Sequence, residues 1–245
     1  MKLSIVIPAR NESRNIGSTV DAVVARCTDA GFPYELLVVD DGSSDATSAE
    51  VNRRRDGNAS IRLITNTGPH GFGYAIRCGL DHYTGDAVVI MMADCSDSPD
   101  DLITYYRVLS EEAECAFGSR WIHSSVVTDY PAFKKPINRL VNNLLMILFS
   151  IRYNDITNAF KGYRRSVIDG CRPLISPHFN LTVELPLKAI VRGYSYVVVP
   201  ISWRNRMIGT SALKLHEMGS RYLFIVLYVL LEKLLTRDDY HRRDR

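Results

Sequence analysis

An α/β fold on a mostly parallel sheet is the class this sequence predicts, and three observations predict it. Two strand-loop-helix units fill the opening fifty residues, which starts a parallel sheet at the N-terminal end. The run Val88-Val89-Ile90-Met91-Met92-Ala93 is unbroken and apolar until it halts at Asp94 and Asp97, the pattern of a strand covered on both faces that ends at a ligand-bearing edge. With 245 residues, 46% of them hydrophobic, the chain can bury one large core.

The elements follow in order. Leu3 to Ile7 is a short apolar run ended by Pro8, and Asn11 to Ser13 offers helix caps before Ile16, Val20, Val23 and Val24 recur at helical spacing. Glu35 to Val39 is the next strand, closed by Asp40-Asp41-Gly42-Ser43-Ser44-Asp45. Ile61 to Thr65 reads as a third strand, Gly71 to His82 as a helix, Ala87 to Met92 as the acid-edged strand and Cys115 to Gly118 as another. After Arg120 the alternation of strands and helices breaks down. Lys134 to Ile151 carries Ile137, Leu140, Val141, Leu144, Leu145, Leu148 and Phe149, with Lys134, Lys135 and Arg139 at its start. It reads as a core helix, or as an interfacial helix gripping anionic head groups. The same two readings apply at Tyr222 to Leu231, an apolar run well short of the roughly 20 residues that span a bilayer. We therefore divide the chain into a domain over 1–215 and an apolar helix with a charged tail over 216–245.

Composition narrows the function. A net charge of +3 is too small to argue for nucleic acid. The five cysteines show no metal-ligand spacing and no charged-then-apolar leader precedes the first strand, as expected of a reduced, cytosolic chain. No Gly-x-Gly-x-x-Gly turn joins the first strand to its helix and no Gly-Lys-Ser/Thr is present, which removes the dinucleotide oxidoreductase and P-loop ATPase readings. Ligands of open α/β sheets gather at the carboxyl edge. Asp94 and Asp97 there, before Ser98-Pro99-Asp100-Asp101, suggest a hard divalent cation, Mg²⁺ or Mn²⁺, carrying a phosphorylated substrate. The plainer alternative is that Asp97 or Ser98 only caps the next helix.

Ser4-Ile5-Val6-Ile7-Pro8-Ala9-Arg10-Asn11-Glu12 and Val38-Val39-Asp40-Asp41-Gly42-Ser43-Ser44-Asp45 resemble the opening of the inverting family 2 glycosyltransferases of GT-A fold. Gly71-Phe72-Gly73-Tyr74-Ala75, Gly118-Ser119-Arg120, Asp155 to Arg164, and Arg206-Met207-Ile208-Gly209-Thr210-Ser211 follow in the order seen in dolichyl- and polyprenyl-phosphate mannose synthases. The resemblance covers most of residues 3–215. It implies a mostly parallel Rossmann-like sheet flanked by helices, with C-terminal amphipathic interface helices. It further implies that Pro8, Arg10, Glu12, Asp40 and Asp41 line a nucleoside pocket, and that Asp94 is the second carboxylate of a metal motif. Arg120 matches an acceptor-phosphate arginine, Lys134 and Asn138 match residues that help hold that phosphate, and Arg206 matches an arginine near the diphosphate. Two positions depart from the pattern. Met92 stands where the family has its first metal-motif Asp, and a thioether is a poor partner for a hard cation. Ser96 matches a further ligand position, and Asp97 could supply replacement charge. Ala212 stands where the family usually has Lys, and Lys214 lies two residues further on.

The resemblance thus implies a GDP- or UDP-linked sugar donor of mannose or glucose type, a polyprenyl-phosphate acceptor, Mg²⁺ or Mn²⁺, and peripheral contact with the cytosolic face of a membrane. Asp94, Asp97, Arg120 and Arg206 are the candidate catalytic groups. Two alternatives stand beside this reading: transfer to a hydroxyl acceptor with Asp97 as base, and a non-catalytic module that binds nucleotide sugars.

Overall fold

The computed structural model describes residues 1–205, 215–235 and 237–240. In chain order its elements are β1 (Leu3–Ala9), α1 (Ile16–Ala30), β2 (Tyr34–Asp40), α2 (Thr47–Arg55), β3 (Ile61–Thr65), α3 (Phe72–His82), β4 (Ala87–Ile90), α4 (Asp101–Arg107) with a π-helical turn over Val108–Glu112, and β5 (Cys115–Ser119). There follow β6 (Val126–Thr128), α5 (Lys134–Phe149), β7 (Lys161–Arg164), α6 (Arg165–Gly170), α7 (Leu181–Val191), β8 (Tyr196–Pro200), β9 (Ser202–Arg204), α8 (Leu215–Leu235) and α9 (Arg237–Tyr240).

Seven strands form one sheet in the order β3-β2-β1-β4-β7-β5-β8, and β6 pairs with β9 beside it. All pairings are parallel except those of β7, which runs against both β4 and β5. The five strands expected from apolar runs are β1 to β5. Their side chains alternate between two cores: Ile5 and Ile7 join the helices α1, α2 and α4 on one face, while Val6 joins α3, α5, α6, α7 and α8 on the other. Chain order reverses between β1 and β4, because β2 and β3 lie on one side of β1 and β4 on the other. That reversal opens a crevice at the carboxyl ends of β1 and β4, where ligands of such sheets bind.

Three local expectations change. Asn11 does not cap α1, which starts at Ile16 with no side-chain cap. Asn11 takes a left-handed φ of 55° and its Oδ1 accepts the Ser44 N–H at 2.8 Å, tying the first loop to the second. The Asp97 side chain does not cap α4 but accepts the Met92 N–H, while Ser98 Oγ accepts the Asp100 N–H at 3.3 Å in the turn that leads into that helix. The core-helix reading of α5 also fails. It buries only Asn142, Leu145 and Phe149, while Leu140 is 61% and Ile147 77% exposed.

Helix α8 is likewise two-faced. Ile225 and Val229 are buried, whereas Leu223, Phe224, Leu227, Leu231 and Leu234 are exposed. Its buried side is held by Glu232, which accepts Arg192 Nε at 2.6 Å and Nη2 at 2.9 Å. Lys233 Nζ donates to the Phe149 carbonyl at 2.6 Å, joining α8 to the end of α5. Among the described residues no helix is long and apolar enough to cross a membrane.

Candidate functional site

The loops after β1 and β2 form the first wall of the crevice, and they are stitched together by short polar contacts. Ser43 Oγ accepts the Asn11 N–H at 3.0 Å, Thr47 Oγ1 accepts the Glu12 N–H at 2.9 Å and Asp45 accepts the Ser13 N–H at 3.1 Å. Asp40 accepts the Ser43 N–H at 2.9 Å and the Ser48 hydroxyl. Asp41 accepts the Gly71 N–H at 2.7 Å and Asn66 Nδ2 at 2.6 Å, faces His70 Nδ1 at 3.3 Å, and lies 4.0 Å from the exposed Arg10 guanidinium. The acidic pair therefore organises three loops, and Asn66 and His70 are partners that composition did not reveal. Gly71 has a φ of 149°, and a Cβ there would meet the Pro177 carbonyl at 2.6 Å, so only glycine fits this approach. Pro8 is buried in β1, and Glu12 accepts Asn15 Nδ2 at 2.7 Å.

The second wall follows β4. Asp94 and Ser96 are buried, and Asp94 Oδ1 accepts the Ser96 N–H at 3.2 Å. Asp97 turns inward. Its Oδ2 accepts the Met92 N–H at 3.0 Å, it is 3% exposed, and burial, reinforced by Asp94, pushes its carboxyl up to about 7 against the pull of the Met92 N–H and Arg120. Residues 96 to 98 are hydrogen-bonded along β9: the Arg204 N–H donates to the Ser96 carbonyl at 2.9 Å and the Ser98 N–H to the Ser202 carbonyl at 3.1 Å. Among the described residues no three His, Cys, Asp or Glu side chains converge as a ready-made metal cage. What the loop offers a hard cation is oxygen from Asp94, with Ser96 beside it. Such a set fits an ion that takes its remaining ligands from substrate phosphates and water, the usual manner of Mg²⁺.

The third wall follows β5 and α5. Arg120 is 10% exposed and donates through its main-chain N–H, Nε and Nη2 to Asp155, at 2.9, 2.8 and 2.7 Å. Burial disfavours the charge on Arg120, but the Asp155 carboxylate more than offsets it, so the guanidinium stays firmly protonated. Trp121, Tyr130 and Trp203 place their rings 5.8, 5.4 and 5.6 Å from its central carbon. Asn138 accepts Trp121 Nε1 at 3.1 Å and donates to Thr157 Oγ1 at 2.9 Å. Lys134 opens α5, and Lys135 and Arg139 lie 5.3 and 5.9 Å from the Trp121 ring. Behind Asp155 the buried Lys161 donates to the carbonyls of Ile156, Asn158 and Thr182, and burial lowers it to about 7 despite Asp155.

The fold thus brings the expected residues at the ends of β1, β2, β4 and β5 to one sheet edge, with Lys134 and Asn138 alongside. Arg206, Ala212 and Lys214 lie outside the described residues. Asp155, Trp121, Tyr130 and Trp203 are site groups that sequence reasoning did not assign. For Asp155 the signal was present, because it opens the block 155–164.

Residues 4–171 match the family described as glycosyl transferase family 2. Polyprenol monophosphomannose synthase of Mycolicibacterium smegmatis is 29% identical over 213 residues, covering 84% of this chain and 79% of that protein. Undecaprenyl-phosphate 4-deoxy-4-formamido-L-arabinose transferase of Sodalis glossinidius is 28% identical over 221 residues, which are 89% of this chain and 64% of that protein. The crystal structure of glucosyl-3-phosphoglycerate synthase from Mycobacterium tuberculosis with Mn²⁺, UDP and glucosyl-3-phosphoglycerate matches with a TM-score of 0.69 at 20% identity, over 95% of this chain and 79% of that one. That likeness is one of fold.

Proposed function

The chain belongs to glycosyl transferase family 2, and on that premise we propose that it moves a mannose- or glucose-type sugar from a nucleoside-diphosphate donor to the phosphate of a polyprenyl lipid, with inversion at the anomeric carbon. The carrying observation is the acceptor end of the crevice. A buried, permanently charged Arg120 sits beside the basic start of α5, and α5 continues as an exposed apolar face. A phosphate head with a hydrocarbon tail matches both halves of that surface. Both named enzyme relatives carry a polyprenyl phosphate in their names, which supports the same acceptor.

The reaction needs little proton transfer. A lipid monophosphate has a second pKa of about 6, by analogy with phosphorylated side chains, so it is largely dianionic near neutral pH. One of its oxygens attacks the anomeric carbon, the bond from that carbon to the donor diphosphate breaks, and the electron pair leaves on the diphosphate. Two anionic substrates must first share one site. Arg120, Lys134 and Asn138 would steady the acceptor phosphate, while Pro8, Arg10, Glu12, Asp40 and Asp41 would hold the nucleoside. Asp94, with Ser96 beside it, would hold Mg²⁺ or Mn²⁺, whose chemistry is to neutralise charge on the departing diphosphate. Arg206 would add to that neutralisation. The exposed faces of α5 and α8 would rest on the cytosolic face of a membrane.

A second reading, transfer to a hydroxyl, has one observation in its favour. Asp97 is a carboxylate buried in the loop after β4, near Asp94, where a general base would be shielded from bulk water. Incubation with radiolabelled GDP-mannose and UDP-glucose, Mn²⁺ and undecaprenyl phosphate separates the two. Label extracted into butanol with release of nucleoside diphosphate is expected. Label transferred only to a hydroxyl-bearing acceptor, with undecaprenyl phosphate inert, would overturn the proposal.

A further inference from the structure

Resting on the reading of Arg120 as the acceptor-phosphate group, we propose that Asp155 is its positioning residue, and that the segment 153–158 is a scaffold whose task is to aim the guanidinium at the acceptor. Every residue from Gly118 to Trp121 is bonded to that segment. Tyr153 Oη and Asn158 Nδ2 donate to the Gly118 carbonyl at 2.9 and 3.0 Å. The Ser119 hydroxyl donates to Asn154 Oδ1 at 2.6 Å, and Asn154 Nδ2 donates to the Trp121 carbonyl at 3.1 Å. Asp155 sits in the middle of these contacts, fully buried, and binds the main chain and the side chain of Arg120 together.

The consequence is geometric. A carboxylate that takes the main-chain N–H, Nε and Nη2 fixes the guanidinium plane, and three aromatic rings crowd around it. Nη1 is left with no hydrogen-bond partner among the described residues. Lys161 pins the carbonyls of Ile156 and Asn158, so the carboxylate is itself anchored from behind. The ordering cost of a long side chain is thereby met during folding and not on ligand binding. The bound phosphate then meets the remaining N–H groups of a guanidinium already held in place, on a charge partly offset by Asp155.

The test measures the Kd of undecaprenyl phosphate in detergent micelles, with UDP and GDP binding in the presence of Mn²⁺ as the internal control. Asp155→Asn should weaken acceptor binding by about tenfold or more while nucleotide binding is unchanged, a split that general loosening of the fold would not produce. Arg120→Lys keeps the charge but removes the fork that Asp155 holds, and should weaken acceptor binding comparably, which keeps the test decisive if Asp155→Asn does not fold. A wild-type acceptor Kd in either folded variant overturns the positioning role. Arg120→Ala separates the two levels. If it too binds acceptor normally, the reading of Arg120 itself is wrong; if it alone loses binding, only the role of Asp155 falls.

Discussion

Gly118 shows how tightly single residues are specified around Arg120. A Cβ there would lie 2.3 Å from Tyr105 Oη and 2.8 Å from the Phe160 carbonyl, and backbone cannot yield as a side-chain tip can. Gly118→Ala should destabilise the protein by about 1–3 kcal/mol in urea unfolding and displace Arg120 two positions on, with loss of transfer. Asp94→Asn removes the carboxylate at the end of β4 and should abolish transfer under saturating Mn²⁺ while nucleoside binding through the β1 and β2 loops persists. Normal turnover in that variant would remove Asp94 from the site. At this scale the sequence is legible in types and not in partners. Asp40, Asp41 and Asp94 announce themselves as acids after apolar runs. That Asp41 serves Gly71, Asn66 and His70, or that Asp97 folds back on Met92, depends on loops meeting across long stretches of chain.

Among the elements, α5 and α8 carry most of the exposed large apolar side chains of the described residues. Their apolar spacing is plain in the sequence, but a helix facing a core and one facing lipid share the same 3.6-residue period, so only packing tells them apart. Replacing Leu140 and Leu144 together by Glu should reduce flotation with anionic liposomes. Stability should stay within about 0.5 kcal/mol, since both side chains are exposed. Glu232→Ala should cost about 3–5 kcal/mol by chemical unfolding, because it strands Arg192 as an unpaired charge where α8 docks. An unchanged unfolding midpoint would mean that α8 is held by apolar contacts alone. Strands divide in the same manner. β1, β2 and β4 read as continuous apolar runs because both their faces are covered. β7 contains Lys161, Gly162 and Arg164, and it becomes a central strand only because Lys161 and Arg164 spend their charges on buried carbonyls.

For the molecule as a whole, one source of acid sensitivity lies far from the crevice, at Glu35. Burial tends to raise this carboxyl, yet bonds from Ser4, Thr84 and Arg62 lower it from an ordinary 4.5 to about 2. A folded-state value below the unfolded one means that its stabilisation is complete above about 4.5 and fades as pH falls towards 2. Urea unfolding should therefore show Glu35→Gln less stable than wild type at pH 6, with the gap closing as the pH is lowered through that window. A constant gap would show that the charge on Glu35 is not what is lost. The overall architecture was the most legible feature, since two strand-loop-helix units at the start commit the chain to a parallel sheet. The later half was not, because it is assembled by the reversed strand β7 and by the short pair β6 and β9.

That reversal has a lasting implication for how such a protein can diversify. β7 starts beside the end of β4, with Lys161 opposite Ile90, so the chain enters the sheet at the ligand edge there, whereas the neighbouring strands β4 and β5 end at that edge. Residues delivered by the arriving segment, Asp155 foremost, can be lengthened, trimmed or exchanged without touching the outgoing loops that would receive the nucleotide. Recognition of the molecule being modified and of the molecule being spent would then evolve on separate stretches of polypeptide, each free to change while the other is conserved.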